Sequence, residues 1–276
     1  MTALSTPGPA APHGVTGLAG IGRVFESRLL GYRRTFRSSI FNSFLGPVLF
    51  LTAMGVGLGT YVDRAGTDSL GGVSYLAFLA PGLLAATAMQ SAAFEATFPI
   101  MGGLVWQRVF HAMYATPLRP IDIALGNLAW IAFRLLLIAT VFTIVTVLFG
   151  AASSPLIVLA IPVAVLTGMA FAGPIGAFSA TQRTMEKFNA VFRFGITPLF
   201  LFSGTFFPVE SLPLFLQPIA WLTPLYHGVA LSRGLSLGTA FDDPLVMAIH
   251  LLVLVGFIVV GALAMIRTVE RKLVRG

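Results

Sequence analysis

Three kinds of residue in this chain could do chemistry, and the first is a serine. Gly234-Leu235-Ser236-Leu237-Gly238 has the G-x-S-x-G spacing of a nucleophile elbow, with His250 downstream as a candidate base. Such a serine must sit on a sharp strand-to-helix turn that lifts its hydroxyl clear. Nothing around Ser236 reads as a strand, and a pattern of three common residues arises easily by chance, so His250 is more simply a helix-packing or interfacial residue. A metallohydrolase of the H-E-x-x-H kind is excluded, because no histidine is followed by glutamate, and His111 has no second ligand at i+3 or i+4. The chain has no cysteine, which removes disulfides, thiolate metal sites and thiol nucleophiles together. The third chemistry is nucleotide binding. A P-loop needs Gly-Lys-Ser/Thr, whose backbone amides and lysine cradle phosphate. The only lysines, Lys187 and Lys272, follow Glu186 and Arg271. No metal ligand set and no nucleotide site is therefore expected on this chain.

What remains is a pair of full charges inside apolar sequence, Glu95 and Arg134. A charge at membrane depth costs a few kcal/mol or more, so each must be paired or face water. Glu95 lies near one end of its apolar run, and Arg134 is far enough into the next to snorkel toward the same side. Two readings stand side by side: a structural ion pair or two snorkelling side chains, and a gate at the mouth of a substrate path with Glu95 in it.

The elements that position these residues follow from composition. Of 276 residues, 57% are apolar and only 10% charged, with a mean hydropathy of +0.91. A soluble domain carries about 25% charged residues, so this chain could not wet its own surface. An all-α integral membrane protein is expected. Six apolar stretches, at 39–61, 73–98, 121–149, 155–180, 190–208 and 244–267, approach the roughly 20 residues that a crossing helix needs.

The net charge of +7 and the pI of about 10.6 could suggest a nucleic-acid partner, but the placement of the charges argues otherwise. Arg23, Arg28, Arg33, Arg34 and Arg37 precede the first stretch; Arg108 and Arg119 lie between the second and third; Arg183, Lys187 and Arg193 flank the loop after the fourth; Arg267, Arg271, Lys272 and Arg275 follow the sixth. With six crossings all of these fall on one side, against Arg64 and Arg233 on the other. Basic loops mark the cytoplasmic face, so both termini are expected inside, in a multi-pass membrane protein. No nucleic-acid partner is expected.

Three regions flank the spans. Residues 1–17, rich in Pro, Gly, Ala and Thr, read as a disordered tail, with His13 solvated. Over 18–37, Leu18, Ile21, Val24, Phe25, Leu29, Tyr32 and Phe36 share one helical face and Arg23, Glu26, Arg33, Arg34 and Arg37 the opposite one. That pattern fits an amphipathic helix lying in the cytoplasmic interface among membrane lipids, or docked on a partner at the membrane surface. The six apolar stretches make up the remaining domain, 38–276. Within it, Pro99 and Pro120 bracket a helix-like stretch with Trp106, Phe110 and Tyr114 at i, i+4 and i+8, a stripe that suits an interfacial aromatic helix or, as the preferred reading, a groove on a cytosolic partner. On the other side, Pro208, Pro213, Pro218 and Pro224 break an apolar segment into pieces too short to cross, which fits short re-entrant or interfacial helices. Small residues at Gly55 and Gly59, and at Gly168, Ala172, Gly176 and Ala180, promise close helix contact.

The segments FEATFPIMGGLVWQRVFHAMYATPLRPIDIALGN and LFSGTFFPVESLP…TPLYHGVALSRG resemble type-2 ABC exporter permeases, the lipo-oligosaccharide and drug export branch in particular. Glu95, Thr116, Pro117, Leu118 and Gly126 fall on that family's positions around the coupling helix, and Gly204, Pro208 and Pro224 on those between the last two spans. The resemblance implies a six-span bundle that pairs with a second permease chain, identical or not. It also implies two cytosolic ABC ATPase subunits that bind the ATP and Mg this chain does not hold. It assigns coupling to the ATPase to Val105, Trp106, Arg108, Phe110 and Tyr114. The rival readings are an importer permease, weakened because the spacing after Glu95-Ala96-Thr97 is wrong for one, a secondary carrier or channel, and the serine hydrolase.

Overall fold

The computed structural model describes residues 17–34, 36, 45–67 and 70–275, and among these the chain is helical with no strand. The elements are α1 (Leu18–Tyr32), α2 (Leu45–Ala65), α3 (Tyr75–Trp106), α4 (Val109–Tyr114), α5 (Pro120–Leu148), α6 (Pro155–Thr181), α7 (186–202), α8 (Gln217–Trp221), α9 (Pro224–Leu237) and α10 (Pro244–Arg275).

Helix starts are written in a repeated dipeptide, a capping side chain followed by proline. Ser154-Pro155, Thr223-Pro224 and Asp243-Pro244 open α6, α9 and α10, and each cap side chain accepts from a backbone N–H one turn in: Leu156, Tyr226 and Val246. Proline suits the first helical position because its missing N–H has no partner there anyway.

Helix α6 is the centre of the bundle, packed against α3, α5, α9 and α10. Its small residues explain how. A Cβ placed on Gly173 would fall 2.5 Å from the Gly261 carbonyl carbon, and one on Gly176 would fall 2.8 Å from the Met265 sulfur, so α6 and α10 touch almost backbone to backbone. Gly168 faces the other way, toward Leu135 of α5 and the Ala88 carbonyl of α3. The expected ridge therefore serves three neighbours, α10, α5 and α3. Gly55 and Gly59 lie against Leu76 and Tyr75, closing the α2–α3 hairpin.

Among the described residues five helices, α2, α3, α5, α6 and α10, are long and apolar enough to cross a membrane. The sixth expected stretch is not among them. The stretch expected at 190–208 is helical only over 186–202 and gives way at Ser203 to a turn around Gly204, whose φ is +82°. At 1.5 Å per residue α7 is about 25 Å long, short of a ~30 Å hydrocarbon core. The proline-rich segment after it forms a turn of 3-10 helix at Val209–Ser211 and the short helices α8 and α9. Of the helix expected over 18–37, α1 covers Leu18–Tyr32, and Leu18 is 87% exposed at its start. Residues 1–16, holding nearly all of the expected disordered tail, and Arg37 lie outside the described residues.

Candidate functional site

The two intramembrane charges meet. Arg134 on α5 donates from Nε to Glu95 Oε1 on α3 at 3.2 Å, with both side chains less than one-fifth exposed. Glu95 stands four residues before Pro99, whose ring removes the N–H that would bond the Glu95 carbonyl. Just beyond, Gly102–Trp106 widens into π-type turns, a local irregularity that recurs at functional sites. The pair thus sits where α3 departs from regular geometry.

Helix α1 closes over this pair, and its seat on α5 is a glycine. A Cβ on Gly126 would fall 2.5 Å from the Val24 Cβ, so only glycine admits α1 at that distance. Phe25 packs at an angle on Trp130 and edge-on against Phe133, and Tyr32 edge-on against Trp130. Arg28 reaches inward and donates from Nε and Nη2 to Asn127 Oδ1 at 3.0 and 2.7 Å, its guanidinium 5.5 Å from the Phe110 ring centre. Burial pulls Arg28 below the usual arginine range, and the charge of Glu95 opposes that shift. The Arg134 guanidinium in turn lies 4.6 Å over the Tyr32 ring. Two cations and one carboxylate are thus gathered under one aromatic helix face.

Two spaces open on this cluster. A cavity of about 440 Å³ lies between α1, α3, α4 and α5, lined by Arg28, Tyr32, Glu95, Met113 and Arg134 among others. A groove of about 430 Å³ runs between α2, α3, α5 and α7, with Thr87, Gln90, Ser91 and Arg134 on one side and Phe50 and Phe200 on the other. A smaller pocket touching Gln90, Ser91, Glu95 and Arg134 lies between them. The ion pair is the partition. Thr87, Ser91 and Glu95 recur every fourth residue, so α3 presents one polar stripe along these spaces.

The coupling residues divide. Trp106 closes the π-type turns of α3, and Arg108 then takes a left-handed conformation, φ +50°, which breaks the helix before α4 begins at Val109. The stripe of Trp106, Phe110 and Tyr114 is therefore not continuous, and this corrects the single-face expectation. Phe110 is fully buried, pressed on Gly103, while Trp106 and Tyr114 are 51% and 39% exposed. Arg108 is exposed and Val105 half-buried. Thr116 and Pro117 form the turn that leads to Arg119, whose guanidinium pairs with Asp122 at 2.9 Å and pins the start of α5. Arg23 on α1, and Arg33 and Arg34 just past its end, are exposed.

At the opposite end of the bundle, Gly204, Pro208 and Pro224 shape the segment above α9. The left-handed turn at Gly204 aims its carbonyl at Arg233, which donates from Nη2 at 2.8 Å. His227 and His250 face each other, Nδ1 to Nδ1 at 2.6 Å. His250 is thus engaged with another histidine, while the buried Ser236 hydroxyl has no hydrogen-bond partner and lies in the last turn of α9 before the Gly238 cap. The arrangement holds no serine–base pair. Among the described residues no cluster of His, Cys, Asp or Glu could hold a metal ion.

Arg28 escaped the sequence reading, although its signal was present. Val24, Arg28 and Tyr32 fall at i, i+4 and i+8, which puts a cation on the apolar face. Arg233, counted by its charge as a loop residue, is instead held in a helix by two carbonyls.

The described residues thus form a bundle of apolar helices that holds a charged pair between two cavities, with α1 clasped over it. Residues 29–237 match the model of the ABC-2 type transporter family, and the chain belongs to that family. It is 34% identical over 252 residues to Nodulation protein J of Rhizobium leguminosarum bv. viciae, covering 91% of this chain and 94% of that one. Nodulation protein J of Sinorhizobium fredii is 32% identical, over 91% of this chain and 92% of the relative. The same-named protein of Azorhizobium caulinodans is 25% identical over 75% and 79%. The chain is thus a multi-pass ABC-2 type permease.

Proposed function

We propose that this chain is the transmembrane subunit of a bacterial ATP-driven exporter. It moves an amphipathic cargo, lipid-linked or drug-like, from the cytoplasm or inner leaflet outward. The observation that carries this reading is the Glu95–Arg134 pair set between an interfacial cavity and a membrane-depth groove. A polar headgroup could enter beside α1 and travel along Thr87, Gln90 and Ser91 while its apolar part stays in lipid; the pair would gate that route.

In this reading α7 is a sixth, short crossing, both termini are cytoplasmic, and α8 and α9 are re-entrant or interfacial helices in the outer half. A second permease chain completes the path, and two cytosolic ATPase subunits bind ATP and Mg. The segment from Val105 to Thr116 transmits their motion, with exposed Trp106, Arg108 and Tyr114 at the contact and Phe110 transmitting to α3 from within. The relatives named above, all from bacteria and matched over most of their length, support the bacterial setting. Co-purification tests the class. Tagged permease expressed with its neighbouring genes should retain a P-loop ATPase in near-equimolar amount, and an active transporter purified without one would overturn the reading.

A further inference from the structure

At the end of the bundle away from α1, a cavity of about 310 Å³ is lined by Phe78, Ser203, Glu210, Tyr226, Arg233 and Thr239 among others. It plays no part in the Glu95–Arg134 route. Its floor is Arg233. The guanidinium stacks 3.6 Å from the centre of the Phe78 ring, Nε donates to the Phe78 carbonyl at 3.1 Å, and Nη2 donates to the Gly204 carbonyl. Gly82 makes room for this, since a Cβ there would crowd Nη2 at 3.1 Å. These contacts use Nε and Nη2 and leave Nη1 with two N–H groups that no protein acceptor takes. Nη1 is not sealed in the interior either, so its donors face the cavity that Arg233 lines. The Tyr226 hydroxyl is in the same position, unpaired and not sealed.

Across the space stands Glu210, exposed at the rim. Its charge acts on both Arg233 and Tyr226, yet it forms no direct ion pair with the guanidinium. A fixed cation at depth and a fixed anion at the rim, held apart, leave a gap that a ligand of the opposite polarity would span. The matching group carries a phosphate or carboxylate inward and an ammonium outward. A simple anion would meet Glu210, and a simple cation would meet Arg233. Beside the rim, the segment that carries Glu210 continues into an exposed apolar shelf of Leu214, Phe215, Ile219 and Leu222. Apolar surface of this kind belongs in acyl chains when it adjoins a bilayer.

We propose that this cavity binds the headgroup of a zwitterionic phospholipid, phosphatidylethanolamine in kind. The phosphate accepts from Arg233 Nη1 and the Tyr226 hydroxyl, the ammonium donates to Glu210, and the acyl chains lie on the shelf. A bound lipid would brace the Ser203–Pro224 segment against α3 and α9. The inference rests on the membrane setting and not on the direction or cargo of transport.

The test uses the full chain, purified and delipidated in detergent, with native mass spectrometry of binding to phosphatidylethanolamine and to phosphatidylglycerol of the same acyl composition. The wild type should retain the ethanolamine lipid at least about tenfold better, the worth of one charge-assisted hydrogen bond. Glu210→Gln changes an exposed side chain that supports no fold contact. It should bring the ethanolamine lipid down to the level of the glycerol lipid, and Tyr226→Phe should weaken both. Equal retention of the two lipids by the wild type, stronger retention of the anionic one, or a preference unchanged in Glu210→Gln would each overturn the proposal. Arg233→Lys is the companion variant: it keeps the charge but cannot serve two carbonyls and a ligand together, so retention should fall even where the protein stays folded.

Discussion

Asn127 turns one arginine into a structural anchor. Its carbonyl oxygen takes both Arg28 bonds while its amide donates to the Ile123 carbonyl at 2.7 Å, so the side chain is satisfied from both ends. Removing Arg28 would strand that oxygen in a nearly dry setting. Arg28→Ala should therefore destabilise the protein by about 1–3 kcal/mol, read as a lower Tm in detergent. Arg23→Ala, on the exposed side of the same helix, should change it by about 0.5 kcal/mol or less. The Glu95–Arg134 pair answers to a different test. Glu95→Leu or Arg134→Leu alone removes one half of the pair and should cost about 1–3 kcal/mol at this partial burial. The double replacement should recover most of that stability without recovering transport. Recovery of transport as well would make the pair merely structural. Glu95 and Arg134 could be picked out from sequence because charge in apolar sequence is conspicuous. That they touch could not, because the distance between helices depends on Gly126, Gly168 and the packing of α1, none of which a single pattern encodes.

At the scale of the element, α4 is short and its two faces do different work. Phe110 is a tether with a fully buried ring, so Phe110→Ala should loosen α4 from α3 at about 3–5 kcal/mol, the usual cost of emptying a phenylalanine site. Trp106→Ala and Tyr114→Ala should leave Tm nearly unchanged while weakening retention of the ATPase, which pull-down measures directly. The sequence periodicity placed all three on one face because it assumed an unbroken helix. The widened turns at Gly102–Trp106 and the left-handed Arg108 rotate the register between Trp106 and Phe110. A glycine pair followed by a long side chain in a positive-φ conformation is not a pattern that periodicity can detect. The starts of α6, α9 and α10 were far more legible, since Ser-Pro, Thr-Pro and Asp-Pro each supply a cap and a first residue in two letters.

For the whole molecule, the absence of cysteine offers a clean topology assay. Single cysteines at Gly22 on α1 and at Leu214 beyond α7 should react with an impermeant maleimide from opposite sides of sealed vesicles. Labelling from the same side would mean that α7 does not cross, which would leave the five longer helices as the only crossings. Composition made the membrane setting plain, and hydropathy located all five long helices, although α3 runs to Trp106 and α10 to Arg275, past the expected ends at 98 and 267. The sixth stretch is shorter than hydropathy drew it, because Ser203–Phe207 is as apolar in places as a helix end while the positive φ at Gly204 ends the helix before it.

The shortness of α7 has a mechanical consequence. As the proposed sixth crossing, a helix about 25 Å long, roofed by broken segments, would be shorter than the lipid around it, and a bilayer meets such a mismatch by thinning. Thinning beside the groove that Phe200 lines would shorten the hydrocarbon barrier there. The protein would then deform the membrane to meet its cargo part of the way, and its turnover would fall in bilayers built from longer acyl chains.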